Sequence, residues 1–317
     1  MRLNQGWIYE EKVPRSAAGQ TVLQYYSTRY RHSNEPEWRE KIESGQVLLN
    51  GERVFAETIL QLGQKLAYHR PPWSEPTVPL SFEIIYEDRD LLAIAKPAGL
   101  PVLPGGGFLE NTLLWQIKKI YPQNPPVPIH RLGRGTSGLL LLAKSALAKS
   151  SLNRQMRTNS TRKQTGDRVQ KVYLAKVNNG MIPDRFTVTN PIGKIPHPLL
   201  GYIYGATSTG KYAHSECQVV KRNPNSTIIQ VTILTGRPHQ IRIHLAAAGF
   251  PLMGDPLYGV GGIPQIKENM NTQSLAFGEI AVPGDCGYHL HAYRLAFSHP
   301  RSNERIDLIC PPPVSLS

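Results

Sequence analysis

Cysteine is scarce in this chain. Cys217, Cys286 and Cys310 are far apart, odd in number and outside any C-x-x-C pair, which argues against a disulfide framework and against a thiolate zinc site. They read as small buried residues. Long apolar runs are missing too, since none approaches the roughly 18 residues of a membrane span. The opening Met1-Arg2-Leu3-Asn4-Gln5-Gly6-Trp7 lacks the apolar core of a signal peptide, so a cytoplasmic, soluble protein without a membrane partner is expected. No internal repeat is visible. His239 and His244 stand five apart, which turns them to different sides of a helix instead of pairing them on a metal; no metal is expected. Carboxylates are in short supply as well, with 23 Asp plus Glu against 36 Lys plus Arg and a formal charge of +13. That excess points to a polyanionic partner, nucleic acid first.

A length of 317 residues allows one large domain and a small one. Residues 1–70 form the small unit. Thr21 to Tyr26 and Trp38 to Ile42 have helical spacing, and Gln46 to Val54 alternates around Asn50-Gly51, the strongest short hairpin signal. Residues 71–80, dense in proline and without period, read as an extended linker. Residues 81–317 form the large domain. Phe82 to Glu87, Leu91 to Ala95, Leu139 to Ala143, Val172 to Val177, Phe186 to Thr189, Glu216 to Val220 and Ile228 to Leu234 read as strands, and Thr112 to Ile120 and Pro238 to Ala248 as helices. The class is α+β, mostly strand. Cations dominate from Lys144 to Lys171, where Asp167 is the only acid, and Arg157 to Gln170 reads as a basic loop able to touch phosphates. Residues about 260–285 read as a surface excursion.

His130-Arg131-Leu132-Gly133-Arg134-Gly135-Thr136-Ser137-Gly138 admits two readings. Its glycines fit G-x-G-x-x-G, but a dinucleotide fingerprint needs a strand before it and a helix after it. Here a proline-rich stretch precedes and four leucines that read as a buried strand follow. The ribose-holding acid expected about twenty residues on is also missing from Thr158 to Lys163. Nucleotide binding is therefore rejected, and no cofactor is expected.

The second reading is a resemblance. His-Arg-Leu-x-x-x-Thr-Ser-Gly followed by an apolar run resembles the active-site loop of the RNA pseudouridine synthases related to RluA. Four further segments accompany it: Lys96-Pro97-Ala98-Gly99-Leu100-Pro101-Val102, Lys171-Val172-Tyr173, Thr235 to Pro251 continued by Met253 to Gly259, and His289 to Pro300. The first unit resembles an S4-like RNA-binding module, with a cap on the main domain as the alternative. The resemblance implies a pseudouridine synthase fold, a large mixed and mainly antiparallel sheet with flanking helices. It also implies isomerisation of uridine in ribosomal or transfer RNA by a monomer.

That isomerisation breaks the N1–C1′ bond, turns the base and joins C5 to C1′. It needs a carboxylate to attack or take a proton, a cation to keep that group ionised and a ring to stack on the base, which must first leave its stack. The resemblance makes Tyr173 the stacking ring and Arg242 the partner of the catalytic aspartate. It places that aspartate at the residue after His-Arg-Leu, which here is Gly133. His130, Arg131, Arg134, Thr136, Lys171, Arg237, His239 and Gln240 are candidates for RNA contacts, with loop anchoring the alternative for His130 and Arg131, and helix capping for the last three. Because glycine can neither attack nor take a proton, two functions stand. One is a synthase with a carboxylate recruited from elsewhere, for which Asp255, Glu216, Asp88 and Asp90 are candidates. The other is an RNA-binding protein on a synthase scaffold. With position 133 empty, Arg242 is expected to face no partner.

Overall fold

Asn50 and Gly51 both adopt positive φ, 55° and 90°, as a tight two-residue hairpin turn requires. A computed structural model of the protein, which describes residues 3–30, 33–158, 169–197, 200–264 and 282–316, divides into units Met1–Glu75 and Pro76–Ser317. In the first, β1 (Trp7–Lys12) is followed by α1 (Val22–Arg29), α2 (Glu35–Glu43), β2 (Val47–Leu49), β3 (Glu52–Arg53) and β4 (Lys65–Arg70). Both helices begin with reciprocal caps, Thr21 with Gln24 and Asn34 with Glu37, which satisfy amides that a helix start leaves unpaired. The strands order as β1-β4-β2-β3, and Tyr26, Trp38 and Tyr68 pack among the buried side chains of this unit. The stretch expected as a linker belongs in part to this unit. The Trp73 amide donates to Asn4 Oδ1 at 3.1 Å, and the Arg70 guanidinium lies 3.6 Å from the centre of the Trp73 ring.

The second unit continues with β5 (Glu83–Glu87), β6 (Leu91–Lys96), α3 (Leu113–Ile120), β7 (Val127–Pro128), β8 (Ser137–Ala143), α4 (Ala146–Thr158), β9 (Gln170–Asn178), β10 (Arg185–Val188), β11 (Ile192–His197), β12 (Gly201–Ala206), β13 (Ser215–Asn223), β14 (Ser226–Ile233), α5 (Gln240–Ala247), β15 (Leu290–Ser298) and β16 (Arg305–Ile309). Its ten-stranded sheet runs β10-β13-β14-β9-β15-β8-β6-β5, with β16 on β15 and β7 on β8. Only the β15–β8 pairing is parallel among those described, so the sheet is mixed and mainly antiparallel, the architecture expected. The four leucines of β8 are completely or almost completely buried, which explains a continuous apolar run in place of alternation.

One transverse row of residues crosses most of the sheet. Cys217, Val231, Tyr173, Ala292, Gly138 and Lys96 are successive partners across β13, β14, β9, β15, β8 and β6. Gly138 makes the β8–β15 junction possible. Its φ is +104°, and a methyl group there would lie 2.3 Å from the Ala292 carbonyl oxygen, closer than any side chain tolerates.

The expected basic loop, Arg157 to Gln170, begins within helix α4 (Ala146–Thr158) and ends at the first residue of β9, and residues 159–168 of it lie outside the described residues. Upstream, Lys144 pairs with Glu87 at 2.6 Å. Helix α5 begins at Gln240, because His239 turns into the left-handed region at φ 52°. Of the expected surface excursion, residues 265–281 lie outside the described residues, while Cys286 and Tyr288 beyond them bond to the His130–Thr136 loop. Among the described residues no helix is long and apolar enough to cross a membrane, and no group of side chains is arranged to hold a metal.

Candidate active site

The loop entering β8 is fixed from below. The Thr136 amide donates to the Gly133 carbonyl at 3.1 Å, and the Gly99 amide to the Arg134 carbonyl at 2.7 Å. Lys96 is buried and spends its three protons on the carbonyls of Pro97, Leu100 and Arg134. Burial pushes its ammonium down to about 7, the cost of a cation held by carbonyl dipoles without a carboxylate. The Lys-Pro segment is thus the floor of the loop. His130 takes the N–H of Leu141 at Nε2, 3.2 Å away. Burial, with Lys171 nearby, pulls its imidazole down to about 3, so it stays neutral and anchors the loop. Gly133 and Arg131 are exposed above this floor.

On the other side stands α5. Arg242 is buried, and its Nε and Nη2 each lie 2.7 Å from a different oxygen of Asp255. Its Nη1 donates to the Pro283 carbonyl at 3.2 Å. The expectation of an unpartnered cation is therefore overturned: Asp255 balances it, and with side chains only 3% and 1% exposed the two form a forked, charge-assisted pair. Asp255 Oδ1 also accepts the amides of Leu257 and Tyr258. The guanidinium lies between two rings, 4.2 Å from the centre of Tyr288 and 5.0 Å from that of Tyr258.

Tyr288 joins the two sides. Its hydroxyl is 3.2 Å from Thr136 Oγ1, and a Cβ on Gly133 would stand 2.8 Å from that same hydroxyl. Its ring presses on Gly135, where a Cβ would meet two ring carbons at 2.9 Å. Next to it, Cys286 Sγ receives Arg134 Nε at 3.2 Å, and the Arg134 guanidinium lies 5.2 Å from the Phe108 ring centre. Tyr288 and Cys286 were missed from the sequence. The only cue was their place just before the closing segment His289 to Pro300.

Tyr173 packs half-buried against two hydrophobic clusters, one of which contains Tyr288 and Ile241. Burial raises its phenol to about 12. Gly133, Arg134, Thr136 and Arg242 are thus gathered around Tyr288, and Tyr173 joins them through the apolar cluster and the sheet row. Lys171 sits beside His130, and burial lowers its ammonium. His239 Nδ1 is 2.9 Å from the Tyr258 hydroxyl, and burial, with Arg242 and Arg131 near, lowers its imidazole to about 4.

Two candidates are engaged elsewhere. Gln240 is buried, its amide group bonded to the His214 carbonyl, Ser215 Oγ, Thr235 Oγ1 and the Arg237 amide, so it has no free hydrogen-bonding group for RNA. Arg237 Nε donates to the Tyr212 carbonyl. The carboxylates considered as substitutes fare no better. Asp90 is locked to Arg301 and Ser145, and Asp88 to Tyr86, His299 and the amides of Asp90 and Leu91. Both lie at the Ala143 end of β8, roughly 17 Å along the strand from Gly138 at ~3.4 Å per residue. Glu216 is exposed and adjoins Cys217 on β13, so it projects from the face opposite the row that carries Tyr173. Asp255 alone is near, and it is committed to Arg242.

Comparison with known proteins identifies the family. A model of the RNA pseudouridylate synthase family matches residues 90–247. An uncharacterized RNA pseudouridine synthase of Synechocystis is 47% identical over 93% of this chain and 95% of its own. RNA pseudouridine synthase 5 of Oryza sativa is 41% identical over 98% and 88%, and ribosomal large subunit pseudouridine synthase D of Neisseria meningitidis serogroup B 32% identical over 95% and 78%. In fold, the chain is similar to human RNA pseudouridylate synthase domain containing 1, with a TM-score of 0.55, 22% identity, and 77% and 89% of the two chains covered. The chain belongs to the RNA pseudouridine synthases, isomerases whose substrate is RNA.

Proposed function

We propose that this synthase acts on a uridine in structured ribosomal or transfer RNA, as a cytoplasmic monomer without a cofactor. The site is the surface of the His130–Thr136 loop where Arg131 and Gly133 are exposed. The observation that carries the reading is the Arg242–Asp255 clamp, seated through Tyr288 against an exposed Gly133. Tyr173 provides the stacking ring, with its apolar body buried and its phenol kept neutral by a pKa near 12. Arg131, Arg134, Lys171 and His239 supply RNA contacts around the site, and the N-terminal unit adds affinity as an S4-like module. Asp255 serves as counter-ion to Arg242 and does not attack, since Oδ1 accepts from three donors and Oδ2 from Arg242 Nε. An RNA binder without turnover is not favoured, because relatives named as synthases match nearly the whole chain. The name of the Neisseria relative makes large-subunit ribosomal RNA the first substrate to try.

The test is to incubate the protein with ribosomal and transfer RNA from a strain lacking it and to map pseudouridine chemically. Conversion of a defined uridine is expected. No product above background on any RNA would overturn the reading.

A further inference from the structure

The reaction needs an atom that can bond to C1′ or take a proton, and position 133 carries no side chain. We infer that Tyr288 fills this role, with its phenolic oxygen as the nucleophile at the ribose C1′. This rests on the synthase reading above.

The argument is one of position. An aspartate on this loop would carry its carboxylate oxygens about 2.4 Å from Cβ, given bonds of ~1.5 and ~1.2 Å. The Tyr288 oxygen is 2.8 Å from the Cβ position of residue 133. The phenol oxygen therefore lies within the reach of such a carboxylate, and a side chain at 133 would have to push it aside, because a carbon and an oxygen not bonded to each other do not pack at 2.8 Å. The rest of the pocket seats the ring. Gly135 leaves space for its edge, Thr136 meets its hydroxyl at 3.2 Å, and Arg242 lies 4.2 Å from its centre. A cation against the ring favours negative charge on its oxygen. The groups facing Tyr288 are Arg242 from α5, Thr136 from the loop, Asp255 and the adjacent Cys286. Burial, the largest influence, raises the phenol above its ordinary value, against Arg242 and Thr136, so the resting group is protonated.

A protonated phenol suits a step in which the substrate accepts the proton. The oxygen bonds to C1′ while the N1–C1′ bond breaks, its electron pair leaves with uracil, and the phenolic proton passes to the uracil O2. After the base turns, C5 bonds to C1′, the aryl oxygen leaves with the pair it had shared and takes the proton released from C5, and the proton held on O2 shifts to the N1 that C1′ has left. Atoms and charge return to their starting count without an external base. Tyrosine serves as nucleophile at an anomeric carbon in sialidases.

The experiment compares wild type, Tyr288→Phe, Gly133→Asp and the double variant on the RNA that wild type converts, with thermal melting and RNA retention as controls. Tyr288→Phe is expected to bind RNA and melt as wild type does, and to lose turnover about 10²-fold or more. Gly133→Asp alone stays inactive because the hydroxyl fills its space, whereas the double variant regains turnover. Incorporating 3-fluorotyrosine at position 288, a more acidic phenol of nearly the same shape, moves the alkaline limb of the pH–rate profile to lower pH, since the protonated form is the active one. Tyr288→Phe turning over within threefold of wild type overturns the inference while leaving the synthase reading intact, as does an alkaline limb that fluorination does not move. Wild type silent on every RNA sinks both.

Discussion

Asp255→Ala leaves the Arg242 guanidinium buried with one carbonyl, that of Pro283, as its hydrogen-bond partner among the described residues. The native pair has two contacts of 2.7 Å between side chains 3% and 1% exposed, and two backbone amides lose their acceptor at the same time. Removing one partner from such a pair costs about 3–5 kcal/mol, because the stranded charge keeps its full desolvation penalty. At ~2–4 °C per kcal/mol for a unit of this size, Tm should fall by roughly 6–20 °C. Thermal melting followed by near-ultraviolet circular dichroism reads this directly, with Glu216→Ala, an exposed carboxylate, expected to stay within ~0.5 kcal/mol of the parent. Replacing both partners, Arg242→Met with Asp255→Leu, should recover most of the loss, since apolar side chains need no counter-ion. If Asp255→Ala melts with the Glu216 variant, the buried clamp contributes nothing to stability and the reasoning fails.

Other consequences are open to measurement. Gly138→Ala forces a methyl group to 2.3 Å from the Ala292 carbonyl and should destabilise by about 4 kcal/mol or more, read as loss of soluble protein. His130 and His239 have pKa values lowered to about 3 and about 4, so between those values and the ordinary 6.5 the unfolded chain binds more protons. Stability therefore falls on acidification below pH 6.5, by up to ~1.4 kcal/mol per pH unit per group, and urea titrations of His130→Gln should show a shallower slope from pH 6.5 down to 3. Gln240→Ala should lower stability by about 1–3 kcal/mol and leave RNA affinity unchanged. Arg131→Ala should do the reverse, weakening binding and reducing the salt dependence by about one phosphate contact.

The boundary between legible and hidden features is a physical one. The Asn50-Gly51 hairpin, the leucines of β8 and the caps of α1 and α2 are local signals, and they translate directly into structure. Helix α4 escaped notice because its described side chains are largely polar or basic, with Ala148 and Leu152 the ones fully buried. Strands β11 and β12 pair without interruption, but they contain Pro196 and Gly205, residues that weaken a strand signal. The pairing of Arg242 depends on a turn thirteen residues further on, which periodicity does not encode. The meeting of Tyr288 with Gly133 joins segments about 150 residues apart and depends only on the final packing of the sheet.

Strand β15 lies between β9 and β8, both of which precede it in sequence. Until the ribosome has released it, the large sheet consists of two halves with bare edges, each inviting pairing with a stranger. The pocket is therefore completed only once β15 has been made. A message cut short before codon 290 would yield a sticky intermediate and no trace of activity.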